Sequence, residues 1–220
     1  TTAEDGIEAM RTRAATTRSS VVEFAEKSPH IEIKNTFWLT NAVVITADTD
    51  EVSMADLAQL ENVEKIHEDY VVDAEPPTPS TPMQATTTDG TQTGEAAVGT
   101  QSQQDQYTAG IEAINATGVI EQGYHGQGVR LAVIDSGVQP DHPDISISDE
   151  NWACFINCTI DGPHDRNGHG THVSATATGA DDNSAGLHLG VAPQATLLHA
   201  KAINSSNRFT YTSLVESMEW

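Results

Sequence analysis

Apolar and polar positions divide the chain into three stretches with different patterns. In "SSVVEFAEKS", Val21, Val22, Phe24 and Ala25 fall at spacings that suit a short helix. "HIEIKNTFWLTNAVVITADT" is rich in β-branched and aromatic residues and predicts two strands with a break near Lys34–Asn35. "VSMADLAQL" places Met54, Leu57 and Leu60 on one helical face behind Ser53 as N-cap, and "NVEKIHEDYVV" returns to strand character. Residues 1–75 therefore predict a small α+β unit with one sheet and two helices.

The second stretch, 76–105, is rich in Pro, Thr, Gln and Gly and almost free of large apolar residues. That composition predicts an exposed linker and a site for proteolysis. From about residue 106 the pattern changes again. "GVRLAVIDSGV" is a continuous apolar run ending at Asp135, the pattern of a strand buried on both faces. "GHGTHVSATATG" predicts a helix of small residues that can lie close to a sheet, "ATLLHAKAI" a second buried strand, and "YTSLVESMEW" a further helix. Alternating strands and helices predict a parallel α/β sheet with flanking helices, whose chemistry collects at the carboxyl ends of the strands. Asp135 stands at one such end.

Charge narrows the classes of partner. The formal net charge is −22, shared almost evenly by residues 1–75 and 76–220, and only four residues are lysine. Strands such as "AVVITA" separate the chain from acidic disordered proteins. A folded chain this acidic points to a protein from a halophilic host, where concentrated salt screens self-repulsion. Nucleic acid and anionic membrane surfaces are disfavoured as partners. No apolar run approaches the ~20 residues of a membrane span. The chain opens without methionine, and no signal peptide is visible in it. Cys154 and Cys158, with three residues between them in a loop, exclude a four-thiolate zinc site and leave either a small disulfide or two free thiols.

The candidate chemistry lies in "VIDSGVQPDHPDI" and "DRNGHGTHV". Alone, Asp135 would serve as readily as a turn or helix-capping residue. His169 and His172 could share a helical face and bind a metal, but no glutamate follows His169 as in H-E-x-x-H. A third ligand would have to be the distant His164 or His188. Together, in this order and 34 positions apart, the two motifs resemble the Asp and His motifs of the subtilisin-like serine proteases, the subtilases. "GVAPQATLLHAKAI" and "YTSLVESMEW" resemble the strand and helix that follow, so the likeness runs from about residue 107 to 220.

The resemblance implies catalytic roles for Asp135 and His169, with His169 the general base, Asp135 its orienting partner and His172 structural. The glycines at 168 and 170 would let the backbone approach a substrate cleft. Asn207, Arg208 and Phe209 align with the edge strand that pairs with a substrate backbone, but lack the usual small residues. Asp144 and Asn183, the latter in the loop 181–190, align with donors of a structural calcium site in some members; no organic cofactor is implied. Ser174–Ala175 stands where the family commonly has Ala-Gly, which adds a methyl at a close helix contact.

Residues 20–75 resemble the inhibitory propeptide of the same family, which implies a propeptide bound in its own catalytic domain's cleft. No G-T-S-x-A motif occurs in the chain, so the nucleophilic serine and the oxyanion asparagine are expected beyond Trp220. The resulting expectation is an extracellular, secreted serine endopeptidase zymogen acting on peptides or proteins. Residues 106–220 would be the N-terminal part of its catalytic domain, inactive without the rest. The alternative is a non-catalytic inhibitor or folding chaperone of a separate protease, with a relic partial catalytic domain. Asn115, Asn157 and Asn204 begin glycosylation sequons, usable only on an exported chain.

Overall fold

The computed structural model describes residues 2–74, 107–180 and 186–220. The expected linker at 76–105 and Asn183 lie outside the described residues.

The N-terminal unit opens with helix α1 (Ala3–Lys27), followed by strands β1 (Ile31–Phe37) and β2 (Ala42–Ala47), helix α2 (Met54–Ala58) and strand β3 (Val71–Asp73). Helix α1 is far longer than the apolar spacing predicts. Its start is fixed by a capping box, in which the Thr2 side chain accepts from Asp5 N and the Asp5 carboxylate accepts from Thr2 N. Residues 3–13 are exposed, so over that stretch there is no buried face for a pattern to mark. Ala14 is buried, and near its end the helix joins a core, with Ala25 packed among Ile31, Val52 and Leu57 and Phe24 against them.

The predicted break at Lys34–Asn35 is instead a register shift inside β1, between Ile33 and Asn35. The strand continues to Phe37, and the turn comes at Trp38–Asn41, where Asn41 takes a left-handed φ of 50°. Ser53 does cap α2 by accepting from Ala55 N, but Met54 is exposed; Leu57 is buried, and Leu60, just past the helix, packs against the same core. Strand character in "NVEKIHEDYVV" is confined to Val71–Asp73. This strand does not join the β1–β2 sheet.

Helices α3 (Ala109–Ala113) and α4 (Thr117–Ile120) lead into strand β4 (Arg130–Asp135). Strand β5 (Trp152–Cys154), helix α5 (His169–Thr178), strands β6 (Thr196–Lys201) and β7 (Arg208–Thr210) and helix α6 (Tyr211–Glu219) follow. The main sheet has the order β4-β6-β5, and both pairings are parallel. The apolar run in β4 predicts burial on both faces, yet β6 takes the central place and β4 an edge of the described sheet. Arg130 is accordingly exposed, and burial deepens toward Asp135. Val133, Val138, Ile145 and Leu197 form the core under α5, packed with Val173 and Ala175 of that helix. Cys154, the last residue of β5, is joined to Cys158 by a disulfide.

The two units meet on α6 and β7. Strand β3 pairs antiparallel with β7, Val72 opposite Phe209. The Asp69 carboxylate accepts from the Thr212 N–H and hydroxyl in the first turn of α6, a favourable place for negative charge. Asn35 donates to Glu216, and Leu39 N donates to Glu219. Burial in this contact raises the Glu216 carboxyl above its ordinary value; the Asn35 hydrogen bond opposes that shift, and the Asp69 and Glu219 carboxylates add to it. Phe37, 1% exposed, stands edge-on to Tyr211 with ring centroids 6.3 Å apart. Replacing Phe37 with Ala should cost about 3–5 kcal/mol, read as a lower midpoint in urea. An unchanged midpoint would show that this contact contributes nothing to stability.

Candidate active site

The carboxyl end of β4 and the N-terminal end of α5 meet at the residues that the sequence motifs single out. Asp135, the last residue of β4, is buried, and His169, the first of α5, is half-buried. His169 Nδ1 lies 2.8 Å from Asp135 Oδ1 and 2.9 Å from Oδ2. One carboxylate oxygen also accepts from the Ser136 N–H at 2.6 Å, which fixes the plane of the group. A carboxylate on Nδ1 places the proton there and leaves Nε2 with its lone pair, the tautomer that can accept a proton. His169 borders an open, mainly apolar hollow of about 790 Å³ lined also by Leu131, Val173 and Val191. His172 is exposed and lines the same hollow.

Gly168 lines this hollow with open space at its Cβ position, whereas Gly170 departs from the sequence expectation. Gly168 takes a left-handed φ of 95° as the N-cap of α5. Gly170 faces inward, not toward a cleft, since a Cβ there would come within 2.2 Å of the Gly137 carbonyl oxygen. Gly137, at φ 124°, is equally confined, its own Cβ position lying 2.0 Å from the His164 carbonyl oxygen. Backbone therefore packs on backbone where the Asp and His segments cross.

Several polar residues under the site escape sequence reasoning. Asp165, two residues upstream of Asn167, accepts from Asn167 N, Gly168 N, Ser136 Oγ and both the N–H and hydroxyl of Thr171. Burial pushes its carboxyl up, but these hydrogen bonds outweigh that and hold it below the ordinary value. Lys201, 3% exposed at the end of β6, donates to the carbonyls of Ser136 and Ile203. Ser174, next to the added methyl of Ala175, has its hydroxyl 3.0 Å from Nδ1 of His199, and both side chains are fully buried. The His199 ring stacks on Trp152. In sequence, His199 is one polar letter inside an apolar strand; only its pairing with Ser174 across the helix–sheet contact gives it meaning.

The remaining sequence candidates are placed as follows. Asn207, Arg208 and Phe209 lie at and on β7, away from Asp135 in sequence but tied to the site by a hydrogen bond from Asn167 Nδ2 to Asn207 Oδ1. Arg208 pairs with Asp73 of β3, and Ala74 N donates to the Asn207 carbonyl. The Asp144 carbonyl accepts from Ala180 N, which sets Asp144 beside Ala180. His164 packs on Trp152 and His188 on Tyr107, so the histidines do not converge on His169. Among the described residues no three His, Cys, Asp or Glu side chains gather as metal ligands.

His199 supplies a pH test. Burial lowers its pKa to about 4, against the opposing pull of Asp135 and Asp165, while Lys201 adds to the lowering. Between that value and about 6.5 the unfolded chain binds a proton that the folded chain excludes. Stability should therefore fall by about 3 kcal/mol as pH drops through this window. Denaturant titrations of the parent and of His199→Gln should show a smaller loss in the variant; equal slopes would mean that His199 does not contribute to the acid sensitivity.

Comparison with known proteins finds relatives for the part of the chain that holds this pair. The chain is 39% identical over 111 residues to subtilisin E of Bacillus subtilis (strain 168), covering 50% of this chain and 28% of that protein. It is 40% identical to subtilisin DY of Bacillus licheniformis over the same length, 39% of that protein. Serine protease AprX of Bacillus subtilis (strain 168) is 35% identical, with 25% of it covered. The chain thus spans well under half the length of these relatives. Residues 126–220, which contain Asp135, His169, Lys201 and the whole β4-β6-β5 sheet, match the model of the Subtilase family, Peptidase S8, and this part of the chain is subtilisin-like.

Proposed function

We propose that the chain carries two members, Asp135 and His169, of the Asp-His-Ser triad of a serine endopeptidase zymogen. The observation that carries the proposal is the hydrogen bonding of His169 Nδ1 to the Asp135 carboxylate at 2.8 and 2.9 Å. A histidine so held can take the proton of an attacking hydroxyl through Nε2 and return it to the leaving amine. The carboxylate stabilises the imidazolium that forms in between. The proposal assigns the nucleophilic serine and the oxyanion donor to sequence outside these 220 residues.

In the same proposal, β7 with Asn207 is the edge on which a peptide substrate would pair, and the N-terminal unit is a propeptide. Support comes from β3, which occupies that edge antiparallel, with Ala74 bonded to Asn207 beside the first turn of α5. An extended segment on a sheet edge is held through its main chain, whatever its side chains. The same pairing favours a second reading, in which this unit inhibits or helps fold a separate protease.

Secretion belongs to the proposal too; the Cys154–Cys158 bridge suits an oxidising compartment. Among the described residues no helix is long and apolar enough to cross a membrane. A structural calcium ion would need Asn183 and carbonyl oxygens of the 181–190 loop in addition to Asp144.

The decisive experiment is expression of the open reading frame that contains this chain, with Asp135→Asn and His169→Gln variants, assayed on a fluorogenic peptide. Each substitution should lower kcat on the order of 10⁴-fold or more. Hydrolysis at the parent rate by His169→Gln would sink the protease reading. The halophilic origin has its own test in circular dichroism during dialysis from multimolar to millimolar salt. Helical signal should be lost as screening of the −22 net charge is removed; an unchanged spectrum would reject it.

A further inference from the structure

We infer that Asp165 is a positioning residue, the group that holds His169 in register with Asp135. The inference rests on the catalytic reading of that pair but is tested without it.

Helix α5 begins without a capping side chain at its N-cap, because that position is Gly168. The first N–H groups of a helix have no partner within it, and they would be left bare where the helix meets the sheet. Asp165 supplies what the N-cap lacks. Its Oδ1 accepts from Asn167 N and Gly168 N, both at 2.9 Å, and its Oδ2 accepts from Thr171 N at 3.0 Å. The Gly170 N–H goes to Ser136 Oγ at 2.9 Å, and that hydroxyl in turn donates to Asp165 Oδ1. Thr171 Oγ1 donates to Oδ2 at 2.6 Å and accepts from Gln139 N. The remaining early N–H, that of His169, is taken by Asn167 Oδ1 at 3.2 Å.

One carboxylate therefore binds three segments: the loop before α5, the first turn of α5, and, through Ser136, the residue after Asp135. Position is decided on both sides of the His169–Asp135 hydrogen bond. Ser136 is fully buried, so its link cannot be replaced by solvent. Negative charge at a helix N-terminus is favourable in itself, and hydrogen bonds to an ionised acceptor are stronger than neutral ones. An amide at 165 would keep one acceptor and turn the other into a donor facing N–H groups.

The test is proton NMR of the 220-residue chain, following the downfield Nδ1 proton of His169, assigned by its loss in Asp135→Asn. Asp165→Asn should keep the β4-β6-β5 sheet, judged by protected strand amides, yet lose this resonance or exchange it at least roughly tenfold faster. Thr171→Val, which removes a hydroxyl from Asp165 and an acceptor from Gln139, should give a smaller acceleration. It serves as the measure if Asp165→Asn does not fold. A resonance with parent shift and exchange rate in Asp165→Asn, or in Thr171→Val where only that variant folds, overturns the positioning role while leaving the Asp135–His169 pair intact. Absence of the resonance in the parent chain overturns the pair and the proposal together. Neither outcome depends on peptide hydrolysis, so failure of the protease reading would be seen separately.

Discussion

The close backbone approach of the segment after β4 to the first turn of α5 governs everything built on it. Gly170 lies against the Gly137 carbonyl, and Gly137 against the His164 carbonyl, with no room for a Cβ at either position. A methyl group on either would push the helix off the strand end and lengthen the 2.8 Å contact between His169 and Asp135. Close approach in turn brings helix N–H groups, carbonyls and carboxylates into a space with little water, where each must find a partner. Asp165, Ser136, Thr171 and Lys201 are those partners.

The same end of the domain is consequently polar inside. Two carboxylates, Asp135 and Asp165, lie near a buried lysine and a buried neutral histidine. Lys201 directs its protons to backbone carbonyls rather than to a carboxylate, and burial lowers its affinity for the proton against the pull of Asp165 and Asp135. His199 stays neutral because its ring is shut between Trp152 and α5. Such an interior specifies one arrangement strongly, since displacing any member leaves a charge or donor unsatisfied. It also makes that arrangement sensitive to acid.

The N-terminal unit engages the other half of the domain by complementary means. Its β3 completes the edge β7, its Asp69 meets the N–H groups of α6, and its Phe37 fills an apolar position against Tyr211. Main-chain pairing, a charge on a helix end and an aromatic anchor act at separate points and together fix the orientation of the unit.

Elements whose periodicity comes from burial are legible in the chain itself: α2 behind Ser53, the parallel strands β4 and β6, α5 and α6. The pairing of Asp135 with His169 is legible too, but only because the two motifs around them resemble the Asp and His motifs of the subtilases. What burial does not write is misplaced. The solvent-facing half of α1 has no pattern, the bulge in β1 looks like a break, and β3 reads as part of a local sheet although its partner is 137 residues away, Val72 against Phe209. Folding alone settles whether Cys154 and Cys158 join, and what Asp165, Ser174 and His199 do. Hydrogen bonding across elements leaves no periodic trace in a chain, because it depends on which segments are brought within about 3 Å of one another, and that distance exists only after folding.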